Sequence, residues 1–220
     1  MIAFRFFSTH EHLSNAVKQE LIDHIKKPGA LMLSGGSTPY QIYGTLKKEE
    51  VTLHPERTFF LSDERYVEAH SPLNNGHNLL PMLEELQAMH QFIPVQTSLP
   101  IEKAARVYEE HLLSFDNLDL GLLGIGTDGH TAGLFTIEQA TEQNTCVSCA
   151  MPRPDQLDGI SVSASFIQRV ERIILIATGE SKRAILKELR ENPTAIPAGR
   201  ILQAHPNAAV WTDLSEKDLC

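Results

Sequence analysis

Gly121-Leu122-Leu123-Gly124-Ile125-Gly126-Thr127-Asp128-Gly129-His130-Thr131-Ala132-Gly133 is the stretch whose reading decides the fold. The run that enters it, Leu118 to Ile125, is apolar apart from Asp119 and reads as a buried strand. It breaks at a glycine-rich turn that carries a carboxylate and an imidazole. In an open α/β sheet, ligands gather just beyond the carboxyl ends of the strands. Asp128 and His130 are therefore candidate active-site residues, and earlier turns of the same kind should supply their partners.

Outward from this strand the chain alternates between apolar runs and helical periods. Ile2 to Phe7 reads as a strand, and Ser8-x-x-Glu11 as a capping box. Leu13, Val17, Leu21, Ile22 and Ile25 then follow at helical spacing. Ala30 to Leu33 is a short strand that runs into Ser34-Gly35-Gly36-Ser37-Thr38-Pro39. A helix over Tyr40 to Lys48 follows, with Thr38 as its N-cap and Pro39 at its first position. Thr58 to Leu61 is a strand ending in Ser62-Asp63-Glu64-Arg65. A loop with Asn74, Asn75 and Gly76 leads to an amphipathic segment over Leu79 to Met89, and Ile101 to Leu113 is a further helix. Strands are expected at Thr145–Ala150, Ile160–Ser163 and Arg172–Ala177. A helix over Ser181 to Arg190 comes next, and Ala208 to Trp211 closes the sheet. Strands alternating with helices of this length form βαβ units. The expected fold is α/β, a single doubly wound, mostly parallel sheet flanked by helices in a Rossmann-like, three-layer arrangement, with residues 1–220 as one domain.

The 220 residues are 42% hydrophobic and 21% charged, an ordinary globular mix with enough apolar side chains for a full core. A net charge of -9 argues against a nucleic-acid partner, which would demand a basic face. It also means that an anionic ligand has to be drawn in by local groups. Met1 to Phe7, with Arg5 in its middle, is no signal peptide, and no apolar run approaches a membrane span. Three cysteines make no disulfide framework, so a cytoplasmic protein without membrane association is expected. Cys146-Val147-Ser148-Cys149 sits in an expected strand, where residues three apart face opposite sides, so its thiols are read as inert.

Each turn has a plain reading beside a functional one. Ser34 to Pro39 is a tight βα turn, or a loop whose glycines and free N–H groups, with Ser37 and Thr38, hold an anion. No Lys follows as in a nucleoside-triphosphate loop. Asp63 and Arg65 are a solvated strand end, or a base or orienting acid next to an anion-binding guanidinium. Gly124-x-Gly126-x-x-Gly129 matches the dinucleotide fingerprint in letters only. His130-Thr131-Ala132-Gly133 is a poor helix start, and the next strand ends without an acid. Asp128 and His130 lack a third metal ligand nearby. Lys182, in the first turn of the expected helix after Gly179-Glu180-Ser181, opposes the helix dipole unless a bound anion offsets it; otherwise it is an exposed lysine.

Together these turns, with Tyr66-Val67 after the acidic one and Thr131-Ala132-Gly133-Leu134-Phe135 after the histidine, carry a resemblance over nearly the whole chain. The sequence resembles the 6-phosphogluconolactonase family, within the broader glucosamine-6-phosphate isomerase/deaminase superfamily. The resemblance implies hydrolysis of 6-phospho-glucono-1,5-lactone in the oxidative pentose phosphate pathway. It implies no cofactor and no metal, and a monomer or weak dimer. It implies a phosphate held by Gly35, Gly36, Ser37, Thr38 and Lys182, with Arg65 as a further cation. Asn75 matches the asparagine found after the Asp-Glu-Arg turn.

His130 becomes the general base, oriented by Asp128 or Asp63. Arg65 or N–H groups of the Gly126–Gly129 turn would stabilise the oxyanion. The deaminase side of the superfamily has a catalytic glutamate where this chain has Phe135. A non-catalytic sugar-phosphate-binding module is the remaining alternative. The family's Arg-Ile-Thr strand start is Gly159-Ile160-Ser161 here, so that arginine is absent, and Arg153 is the nearest candidate to replace it.

Overall fold

The computed structural model of the chain describes residues 2–143, 145–150 and 155–219. These residues form ten strands: β1 (Ala3–Phe6), β2 (Gly29–Leu33), β3 (Arg57–Leu61), β4 (Asp63–Arg65), β5 (Phe92–Ile93), β6 (Leu118–Gly124), β7 (Val147–Ala150), β8 (Gly159–Val162), β9 (Ile173–Ala177) and β10 (Ala208–Thr212). Seven α-helices accompany them: α1 (His10–Ile25), α2 (Ser37–Tyr43), α3 (Asn75–Glu85), α4 (Ile101–Leu113), α5 (Ala164–Ile167), α6 (Arg183–Glu191) and α7 (Pro197–Ala204).

Successive strand residues face opposite sides of a sheet, and here both sides are apolar. Leu31, Leu33, Phe59, Leu61, Ile174 and Trp211 pack with α1, α2 and α3 on one side. Met32, Phe60, Ile173, Leu175 and Val210 pack with α4 to α7 on the other. The result is the expected three-layer α/β fold. On α1 the buried residues are Leu13, Val17, Leu21, Ile22 and Ile25, the stripe expected from spacing. Each contributes about 1.5–3 kcal/mol by leaving water.

The main sheet has seven strands in the order β1-β10-β9-β6-β2-β3-β5, and every pairing in it is parallel. From β2 the chain steps outward through β3 to β5. It then returns to the other side of β2 at β6 and steps outward the opposite way through β9 and β10. The topological switch point therefore lies between β2 and β6, and a ligand crevice is expected at their carboxyl ends.

Several local expectations are corrected. The side chain that caps α1 is Thr9, accepting from His12 N at 3.1 Å; Ser8 bonds the His12 ring instead. The α2 helix starts at Ser37, with Gly36 at φ 119° as its cap residue, and ends at Tyr43. Thr38 is therefore no N-cap and Pro39 is not at the first helical position. Asn75 opens α3 behind the cap Asn74 and does not lie in a loop. Lys182 ends a 3-10 turn and is the cap residue of α6, one position ahead of the first turn in which it was expected, so it still stands at the positive end of that helix. Asp63 to Arg65 is a strand, because the chain leaves the main sheet at Ser62 and pairs antiparallel with β8. With β7 this makes a second, three-stranded sheet that periodicity did not reveal. β10 lies between β9 and β1, so β1 is the edge of the main sheet. Cys146 stands one residue before β7 as a half-buried free thiol.

Candidate active site

Four neighbouring strands, β9, β6, β2 and β3, deliver their carboxyl ends to one cleft of about 280 Å³. Ten of the eleven residues singled out from sequence line it: Gly35, Gly36, Ser37, Thr38, Asp63, Arg65, Asn75, Gly126, His130 and Lys182. The eleventh, Asp128, stands behind His130.

The turn after β6 is closed on itself. Gly126 N donates to His130 O at 2.9 Å and Gly129 N to Gly126 O at 3.1 Å. Thr131 Oγ1 donates to Gly124 O at 2.7 Å. Gly129, at φ 85°, sits against Ile196, while its carbonyl accepts from Ala198 N at 3.0 Å. This rigid frame aims the Asp128 carboxylate at His130 Nδ1, 2.5 Å away. Burial pushes the Asp128 carboxyl up, but the hydrogen bond and charge of His130 outweigh it and hold the group below its usual value. An ionised carboxylate only accepts, so Nδ1 carries a proton toward Asp128 and Nε2 is the ring nitrogen left to face the cleft. The Phe135 ring lies over the imidazole at 4.4 Å between centroids.

Gly126 has no room for a side chain. A Cβ there would overlap both His130 Nδ1 and Asp128 Oδ1. Gly126→Ala is expected to push this pair apart and lower kcat about 10²-fold, the cost of roughly 1 Å of misplacement. Steady-state kinetics with circular dichroism would check it.

The loop after β2 forms another wall. Thr38 Oγ1 is 2.9 Å from Thr178 Oγ1 just past the end of β9, so the two hydroxyls tie the first turn of α2 to that strand end. Thr178 lines the cleft, as does Ser34, whose buried hydroxyl has no hydrogen-bond partner among the described residues. Neither was singled out from sequence. The signal for Thr178 was its place directly before the Gly179 turn.

Asn75 is buried and works as a hub. Its Nδ2 donates to Asp63 O at 2.9 Å, and its Oδ1 accepts from Tyr40 OH at 2.9 Å and from Arg65 Nη1 at 3.3 Å. It also presses on Gly35, where a Cβ would overlap the amide. Asp63 accepts from Ser62 Oγ at 2.9 Å. Arg65 also reaches Leu73 O at 3.3 Å and Asp155 at 3.4 Å. Lys182 Nζ donates to Ile125 O at 2.6 Å. Burial lowers the Lys182 pKa, with Asp128 nearby acting against it. Arg65 faces Gly159 across the β4–β8 pair, the position where the resemblance led us to look for an arginine. Arg153 lies outside the described residues.

The family model for glucosamine-6-phosphate isomerases/6-phosphogluconolactonase matches residues 8–211. A 6-phosphogluconolactonase of Thermotoga maritima is 31% identical over 175 residues, 76% of this chain and 77% of that protein. The 6-phosphogluconolactonase of Haemophilus influenzae is 31% identical over 217 residues, 89% of this chain and 90% of that one. The crystal structure of 6-phosphogluconolactonase from Thermotoga maritima superposes with a TM-score of 0.78 at 28% identity, covering 96% of this chain and 98% of that chain. With the strand order and the cleft between β2 and β6, these matches make the chain a member of the glucosamine-6-phosphate isomerase/6-phosphogluconolactonase family.

Proposed function

We propose that this chain hydrolyses 6-phospho-glucono-1,5-lactone to 6-phosphogluconate, the lactonase step of the oxidative pentose phosphate pathway. The observation that carries this reading is the Asp128–His130 pair, set at a cleft whose lining includes the cations Arg65 and Lys182. The relatives named above as 6-phosphogluconolactonases support it.

The phosphate rests on the Gly35–Thr38 loop, facing the Ser37 and Thr38 hydroxyls, with Lys182 supplying charge. Neutral His130 takes a proton at Nε2 from a water as its oxygen attacks the lactone carbonyl carbon. Asp128 stabilises the resulting imidazolium. Gly126 and Gly129 have their N–H groups committed to the turn, which leaves the Arg65 guanidinium or the remaining N–H groups of that turn to stabilise the oxyanion. Collapse of the intermediate breaks the bond to the ring oxygen, which receives the proton from His130. The product acid then ionises. A lactone is an activated ester, so general-base catalysis worth about 10²–10⁴-fold plus positioning suffices without a covalent nucleophile.

Deaminase chemistry needs an acid–base group that the phenyl ring of Phe135 cannot supply. A pure binding module has no use for an oriented acid–base pair. The reading takes residues 1–220 as one domain acting as a monomer or weak dimer. The reading includes a cytoplasmic site of action. Among the described residues no helix is long and apolar enough to cross a membrane.

The test is lactone loss above its spontaneous rate, followed by coupling 6-phosphogluconate to its dehydrogenase. Binding without acceleration overturns the enzyme reading, and ammonia release from glucosamine 6-phosphate favours the deaminase. Lys182→Met is expected to raise KM about 10–100-fold, the worth of a charged hydrogen bond to phosphate, with kcat little changed. An unchanged KM in that variant would remove Lys182 from the phosphate site.

A further inference from the structure

We propose that Glu64 is a positioning residue of this cleft: without touching the substrate, its carboxylate holds Arg65 and Asn75 where a phosphorylated sugar acid needs them. The proposal rests on the lactonase reading of the site.

Glu64 lies between two lining residues, Asp63 and Arg65, yet it is absent from the lining and is 1% exposed. Strand alternation turns it inward while its neighbours face the ligand. Its carboxylate accepts three backbone N–H groups: Arg65 N at 2.9 Å and Asn75 N at 2.6 Å on Oε1, and Gly76 N at 2.7 Å on Oε2. One side chain therefore fastens the start of α3 to β4. Through Asn75 the effect spreads, because that amide bonds Asp63 O, Tyr40 OH and the Arg65 guanidinium, and packs on Gly35. Three walls of the cleft are referenced to a group that does not face it.

The clamp depends on charge. A carboxylate offers lone pairs to all three donors, and a protonated carboxyl is a weaker acceptor. Burial pushes Glu64 up to about 7, against the pull of the Asn75 and Gly76 amides, with the Asp63 charge adding to the rise and the Arg65 amide opposing it. The titratable groups around it are Asp63 and Arg65 on its own strand, Tyr40 on α2 and Tyr108 on α4. Burial holds both phenols neutral, that of Tyr40 with a pKa of about 12. Acidification below neutrality should therefore loosen Arg65 and Asn75 together.

The experiment measures 6-phosphogluconate affinity by calorimetry at pH 8, 7 and 6 for the wild type and for Glu64→Gln. Titration of the ligand phosphate moves both proteins alike, so the ratio of the two Kd values isolates Glu64. The expected ratio is about tenfold at pH 8, shrinking towards one at pH 6 as the wild type loses its own clamp. A ratio near one at pH 8, or one that does not change with pH, overturns the proposal, because a packing role alone is independent of pH. Should Glu64→Gln fail to fold, the wild-type amide resonances of Arg65, Asn75 and Gly76 decide. A common midpoint near pH 7 supports the clamp, and separate or absent midpoints overturn it. A wild type that titrates in this way but does not turn over the lactone would retire the lactonase reading and leave the clamp standing.

Discussion

Replacing His130 by alanine is expected to lower kcat by about 10²–10⁴-fold, the range that a positioned general base supplies. KM should barely move, since the proposed phosphate site is the loop after β2 and Lys182, away from this ring. The fold should also survive. The His130 side chain is 30% exposed and its bonded partner Asp128 is 48% exposed, so removal leaves no buried charge behind. The change in Tm should stay within about 2 °C. Asp128→Asn is expected to show a similar kcat loss for a different reason. An amide can present its N–H₂ to Nδ1, which favours the tautomer with its proton on Nε2 and removes the base. Single-turnover kinetics on both variants, with melting curves, checks this. Retention of wild-type kcat by His130→Ala means that another group activates the water.

Asp119→Ala is expected to produce the opposite pattern, a loss of about 3–5 kcal/mol of stability with catalysis intact in the folded fraction. Asp119 is the second residue of β6, roughly 17 Å along the strand from Gly124. Its carboxylate takes two bonds from Arg57, at 2.6 and 3.0 Å, and lies 2.8 Å from His24 Nδ1. Arg57 is 0% exposed. Its guanidinium also bonds the carbonyls of His24 and Pro28, fastening the end of α1 to the start of β3. Without Asp119 this cation is left uncompensated in the interior. The Tm should fall by about 6–20 °C. The double variant Arg57→Met/Asp119→Leu should recover much of the loss, because it removes both charges. Burial raises the Asp119 pKa, but the bonds from His24 and Arg57 outweigh it and the net shift is downward from 3.8. The folded state therefore binds this proton less readily than the unfolded state. The stabilisation is present above pH 3.8 and is lost as pH falls through the lower folded value. Denaturant unfolding of the wild type between pH 3 and 6 measures it.

The main sheet was legible because its strands are short, almost uninterrupted apolar runs punctuated by glycine, and because helical periods such as that of α1 are regular. The carboxyl-end rule then places the cleft at the turns that end those strands. Illegible parts have identifiable causes. β4 has three charged residues and no apolar alternation, so only its pairing with β8 makes it a strand. β5 is two residues long, and α5 is a single turn capped by Ser163, too short to show a period. The start of α2 was misplaced because Gly36 takes a backbone conformation that propensity arguments assign to turns. Thr178 and Glu64 were passed over since their importance lies in partners far along the chain, Thr38 for one and the start of α3 for the other.

The pairing of β1 with β10 sets a schedule for synthesis. Ala3 pairs with Ala209 and Phe6 with Thr212, so β1 meets this neighbour only once β10, some two hundred residues later, has left the ribosome. Until then the Phe4 and Phe6 rings, stacked at 5.9 Å in the finished protein, have no completed sheet to lie on. The turn after β6 is made well before this, but β9, which pairs with β6 on one edge, gains its neighbour on the other edge only from β10. Activity should therefore appear late and all at once during translation, and a nascent chain stalled before residue 208 should be inactive although it already holds His130, Asp128 and Lys182.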